Sequence, residues 1–147
     1  MKRVGKVAVL LSLWLVLATP DSFSQTDRQH KLIRTLADQG FSGSLAGKIS
    51  LSELGHIKCG VNAYQMVFYE WEETNPPGKT IHSAQRLIFL AGTRYVGSYV
   101  IEDRPVQITS ASILFGYKEN LGHAIVCDDI GPGKKVLLDG ESHSFSK

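Results

Sequence analysis

The sequence predicts a mainly β, single-domain antiparallel meander of about seven or eight strands, closed as a barrel or stacked as a sandwich, with one short N-terminal helix. Three observations predict it. From Gly55 onward, runs rich in aromatic and β-branched residues recur at about 8–12 residue spacing between Gly-, Pro- and Asn-bearing turns. Ahead of them a single stretch carries helical periodicity. The connections are too short for the crossover helices that a parallel sheet requires.

Before these elements comes a different kind of segment. Lys2, Arg3 and Lys6 precede an apolar run from Val7 to Ala18, broken only by Ser12, and Pro20 and Ser22-Phe23-Ser24 follow. A basic start, an apolar centre and a small-x-small end are the parts of a secretory signal, so residues 1–24 read as a cleaved signal peptide. The apolar run falls short of the about 20 residues needed to cross a bilayer, so no membrane span is expected after cleavage. No cysteine lies near the junction to carry a lipid. Cleavage after Ser24 leaves Gln25 first, and cleavage after Ala18 is the alternative. The mature chain then works outside the cytosol, secreted or periplasmic. Residues 25–55 form a helix and a Gly/Ser-rich lead-in, residues 56–147 the β-domain, and 25–147 together one globular unit.

Cleavage also changes the charge. The chain has 16 Lys+Arg against 14 Asp+Glu, and the signal takes Lys2, Arg3, Lys6 and Asp21, which leaves the mature chain neutral. A neutral exported domain without a basic patch is not a nucleic-acid binder. Two cysteines remain, Cys59 and Cys127. In an oxidising compartment they read as one disulfide, which closes a loop of nearly 70 residues and stabilises by about 4 kcal/mol.

Leu32, Ile33, Leu36 and Ala37 share one face of a helix over Arg28–Gln39, with Asp27 as its cap and Gly40 as its stop. Phe41–Gly55 reads as a loop holding a short strand at Lys48–Leu51. The first long run, His56–Glu73, breaks at Gly60. Within it Tyr64, Met66 and Phe68 point one way and Val67, Tyr69 and Trp71 the other, so both faces are expected to be covered, the outer one by the helix, the reading favoured, or by a partner. Asn75-Pro76-Pro77-Gly78 is the strongest turn. Further runs follow at Ile81–Ala91, Tyr95–Ile101, Val106–Thr109, Ile113–Tyr117, His123–Ile130, Val136–Asp139 and His143–Phe145.

The candidate sites are weak when set against ordinary structure. His123, Cys127, Asp128 and Asp129 suggest a metal. On a strand, however, His123 and Cys127 stand about 13 Å apart, too far for both to bond one zinc ion, and the disulfide claims Cys127. No metal and no cofactor are expected. Glu70 and Glu72 share a strand face at about 6–7 Å, a spacing compatible with a glycosidase pair, but they sit beside a turn where solvated charges are ordinary. His30, His56, His82 and His143 are scattered. Gly131-Pro132-Gly133-Lys134-Lys135 lacks the spacing of a phosphate loop. The residue types enriched at protein interfaces fall in or beside the turns of the meander: Arg94, Tyr95, Tyr99, Arg104 and Tyr117 form the candidate binding loops.

With no catalytic motif, the reading favoured is a non-catalytic binding module or inhibitor acting on an envelope or extracellular partner, either another exported protein or a small ligand. A carrier with a pocket inside a barrel is one alternative, and a small secreted hydrolase is the other.

Overall fold

The computed structural model describes residues 21–73, 83–116, 124–138 and 140–147. It holds one α-helix and nine strands among them. The helix α1 covers Asp21–Asp38, and Leu36, at its centre of contact, is fully buried. The helix therefore passes straight through Asp27, which is not its cap, because nothing between Asp21 and Thr26 breaks helical structure. Its end is as the sequence suggests. Gly40 takes a φ of 79°, and the Phe41 amide reaches back to the Leu36 carbonyl at 3.0 Å. That bond and the shared burial of Leu36 and Phe41 make a Schellman end, which only a residue at ease in the left-handed region permits.

Strands β1 (Lys48–Cys59), β2 (Asn62–Glu72), β3 (Ser83–Ala91) and β4 (Arg94–Ile101) form the expected antiparallel hairpins, with two-residue turns at Gly60-Val61 and Gly92-Thr93. The strand read as Lys48–Leu51 is thus the start of a twelve-residue strand. The meander ends at β4. The chain next makes β5 (Pro105–Ile108), β6 (Ser112–Phe115) and β7 (Ala124–Val126), which form a separate three-stranded sheet. It then returns with β8 (Lys135–Leu138) and β9 (Glu141–Ser146) to complete a six-stranded sheet in the order β1-β2-β3-β4-β9-β8. Among the described residues the sheet is open, with β1 and β8 as its edges, and no closed barrel forms. The Asn75–Gly78 turn lies outside the described residues.

The two faces of the large sheet carry separate cores. One collects Tyr64, Met66, Phe68, Leu87, Phe89 and Tyr99 with Ile113, Phe115 and Ile125 of the small sheet. The other collects Val67, Tyr69, Ile88, Leu90 and Tyr95 beneath Leu36 and Phe41. Period-two alternation along β2 explains the division, and the sequence had placed a helix over one face. Cys59, at the end of β1, is bonded to Cys127, just past β7, so the disulfide fastens the large sheet to the small one. A backbone bond from Lys58 to Ser110 at 2.7 Å tightens the same junction, and one from Cys127 to Ala111 at 3.2 Å continues the β6–β7 pairing. No helix among the described residues is long and apolar enough to cross a membrane.

Candidate functional site: a groove beneath the helix

The chain between α1 and β1 turns back across the sheet, and polar side chains hold it there. The Tyr69 hydroxyl donates to the Ser44 carbonyl and the Trp71 indole to the Ala46 carbonyl. Gln39, at the helix end, accepts from the Tyr95 amide at 2.6 Å and donates to the Thr93 carbonyl at 3.1 Å. Gln29 donates to the Leu51 carbonyl of β1 at 3.3 Å. These anchors fix where the helix crosses, with Gln29 over β1 and Gln39 over the start of β4.

The helix does not cover the sheet completely. Along α1 from Gln25 to Thr35 an open groove of about 660 Å³ remains between helix and strands. Its floor is Leu32, Leu51, Val67 and Leu90, and its rim carries the side-chain amides of Gln25, Gln29 and Gln65 with the hydroxyls of Ser52 and Thr93. Arg28 and Lys31 stand on the helix side and Glu53 on β1. Among the described residues the recorded ion pair is Lys48–Glu72, so neither Arg28 nor Lys31 is neutralised by a carboxylate. Apolar ground edged by a few polar groups is the usual make-up of a ligand site, and the volume lies in the ordinary range for one.

The residues singled out from sequence are distributed otherwise. Tyr95 and Tyr99 are not loop residues but core, 1% and 0% exposed. They face opposite sides of the sheet: Phe89 pairs with Gly97 and Leu90 with Tyr95, so Val96 is an extra residue that reverses the alternation. Tyr95 Oη lies 3.1 Å from Ser98 Oγ, and Tyr99 donates to the Gly133 carbonyl. Burial pushes the Tyr99 hydroxyl well above the usual tyrosine range, and nearby Asp128 adds to the effect. Tyr69 is also pushed up by burial, against the pull of Arg86. Arg94 is exposed at the β3–β4 turn. Arg104 is exposed and stacks its guanidinium 5.1 Å from the Phe68 ring centre. Tyr117 lies outside the described residues, as do His82 and His123.

Among the described residues the catalytic and metal candidates do not converge. Glu72 pairs with Lys48 at 2.8 Å on the surface, and Glu70 accepts from Gln85 at 3.4 Å. His143 Nδ1 meets the Val100 carbonyl at 2.6 Å, and His30 and His56 are exposed on separate elements. Among the described residues no three His, Cys, Asp or Glu side chains gather around one point. Cys127 is engaged in the disulfide and has no free thiol.

Sequence reading missed the groove residues Arg28, Gln29 and Gln65, because a groove is a relation between a helix and strands distant in the chain. It also missed Arg86, which did leave a signal: one cation directly before the apolar run Leu87-Ile88-Phe89-Leu90. Comparison with protein-family models, with curated proteins and with solved structures returns no match.

Proposed function

We propose that the protein is an exported, non-catalytic binding module that takes an extended segment of a partner protein into the groove between α1 and the sheet. The groove itself carries this reading: apolar ground for side chains, with amides and hydroxyls along the rim that suit a peptide backbone. The reading also rests on the signal-like residues 1–24, on the disulfide, and on the dispersal of the carboxylates and histidines. Arg28 and Lys31, which form no ion pair among the described residues, outnumber Glu53 in the lining and favour an acidic segment.

The mature chain, Gln25–Lys147, is immobilised and exposed to native envelope or secreted extract beside two variants, Arg28→Glu/Gln65→Arg in the groove and Arg104→Glu away from it. A stoichiometric protein partner retained by the wild type and by the Arg104 variant, but lost by the groove variant, supports the reading. Loss in the Arg104 variant alone moves the contact to the loops and overturns the groove assignment. Intact mass of the exported protein tests the export reading separately, since a retained Met1 excludes cleavage.

A second reading, a small-molecule carrier, keeps its support only in the groove volume. The open sheet and the side-chain-filled core take away the barrel interior on which it first rested. Native mass spectrometry of protein purified from its own host distinguishes the two by a co-purifying small ligand.

A further inference from the structure

Arg86 is out of keeping with its surroundings. It sits on β3, between β2 and β4, half-buried on the helix side of the sheet. Among the described residues no carboxylate forms an ion pair with it. Its Nη1 meets only two hydroxyls, Ser42 Oγ at 3.3 Å and Ser98 Oγ at 3.5 Å, both long for a charged donor. The Phe41 ring centre lies 5.5 Å from Cζ, and buried Nε has no hydrogen-bond partner. A guanidinium whose Nε is removed from water ordinarily has that donor satisfied, because hydroxyls at Nη1 and a ring offset its loss poorly.

The loop around it is shaped to the guanidinium. A Cβ on Gly43 would collide with the Phe41 ring and stand 3.3 Å from Arg86 Nε, so the glycine leaves a cradle that any side chain would fill. Ser42 is exposed beside it, with a hydroxyl that donates as readily as it accepts. On the open side of Arg86 its strand partner is Val100, 49% exposed. Fastening the loop does not by itself call for a permanent cation, since Tyr69 and Trp71 hold the same loop with neutral donors.

We propose that Arg86, with the Ser42 hydroxyl, binds one oxyanion group of a ligand: a carboxylate, a sulfate or a phosphate. With Nε buried, the Nη1/Nη2 edge of the guanidinium supplies paired donors to two oxygens of such a group, and Ser42 donates to one of them, or to a third where the group is tetrahedral. The site lies outside the groove lining and does not depend on the groove being occupied.

The test uses the mature protein, labelled with ¹⁵N, and follows the arginine Nε–H signals while sodium acetate, sulfate and phosphate are each titrated at fixed ionic strength against chloride. Saturable movement of the Arg86 signal, with the Ser42 and Gly43 amides moving in step, is expected for at least one anion. A response to acetate marks a carboxylate ligand, and a response to sulfate or phosphate a tetrahedral one. Arg86→Gln is expected to abolish the amide response, Ser42→Ala to weaken affinity by about tenfold, and Arg94→Gln to leave it unchanged. Absence of saturation with all three anions overturns the proposal. So does a Ser42→Ala variant that binds as the wild type does. Both outcomes are readable even if Arg86→Gln does not fold.

Discussion

The two faces of the six-stranded sheet are held by different means. Opposite the helix, the face is closed by a second sheet through apolar contact, aromatic rings stacked edge to face around Phe89, and a covalent bond between Cys59 and Cys127. On the helix face the apolar contact is smaller, and the layer is tied by hydrogen bonds from Gln29, Gln39, Tyr69 and Trp71 to carbonyl or amide groups. A dry, cross-linked face opens only with the whole molecule. A face tied by a few separate polar bonds opens locally at lower free energy. The groove and Arg86, which has no ion-pair partner among the described residues, both belong to the second face, so the two proposed ligand sites fall on the layer that has most freedom to adjust.

The largest effect expected from breaking this contrast is loss of the staple. Replacing Cys59 and Cys127 together by serine removes a bridge between residues 68 positions apart and costs about 4 kcal/mol on the chain-entropy argument. The urea midpoint reads it. Hydrogen exchange then shows amides of both sheets losing protection together, while the span between the protection of α1 and that of the strands narrows. An unchanged midpoint places the stabilisation in the apolar contacts alone.

The next effect sharpens the contrast from the other side. Leu36→Ala empties a fully buried site under the helix and costs about 3 kcal/mol. Because the helix layer opens locally, most of the lost protection is expected in α1 amides, with β3 and β4 affected only through the global midpoint. Uniform loss across the sheet makes the two faces one cooperative unit and removes the distinction drawn above.

Much of this division was legible in the sequence, and the residues show why. Tyr64, Met66 and Phe68 against Val67, Tyr69 and Trp71 announce a strand buried on both faces, and strand alternation is a local property. The disulfide needed only two cysteines and the expectation of export. The helix end needed only Gly40. What escaped depends on pairing. The extra residue at Val96 turns Tyr95 and Tyr99 to opposite faces; Gly97 inside the strand pattern is a local sign of a bulge, but it does not say which residue is extra. The departure of the chain after β4 into a second sheet, and its return through β8 and β9, follows from long-range contacts that turn residues do not encode. For the same reason two tyrosines chosen as surface contacts are core, and the groove, assembled from α1, β1, β2 and the β3–β4 turn, had no sequence signature.

A smaller effect concerns the tyrosine that ties the return segment. Tyr99 donates to the Gly133 carbonyl, and burial holds its hydroxyl above the usual range. The raised value sets the sign. The stabilisation is complete below the unfolded tyrosine value near 10 and is lost as pH rises from there toward the folded value. Stability is therefore expected to fall above pH 10. Tyr99→Phe costs about 1 kcal/mol at neutral pH and makes the alkaline decline shallower. A decline of equal steepness in the variant assigns it to other groups.

The smallest effect belongs to the one ion pair recorded among the described residues. Lys48 meets Glu72 at 2.8 Å across β1 and β2, with side chains 72% and 53% exposed. The glutamate raises the Lys48 pKa, chiefly through the hydrogen bond between them, so the pair's contribution is present at neutral pH and is lost as pH rises through the Lys48 titration. Solvent and salt screen a pair this open, and Lys48→Ala or Glu72→Gln is expected to leave the urea midpoint where it was. The same Glu72→Gln variant bears on chemistry. Glu72 pairs outward with a lysine and Glu70 with Gln85, so neither carboxylate faces the groove. Partner capture by Glu72→Gln is expected to match the wild type. A selective loss of capture without a change in midpoint assigns the contact to the Glu70–Glu72 edge of β2, on the face that the small sheet closes, and reverses which of the two faces is the functional one.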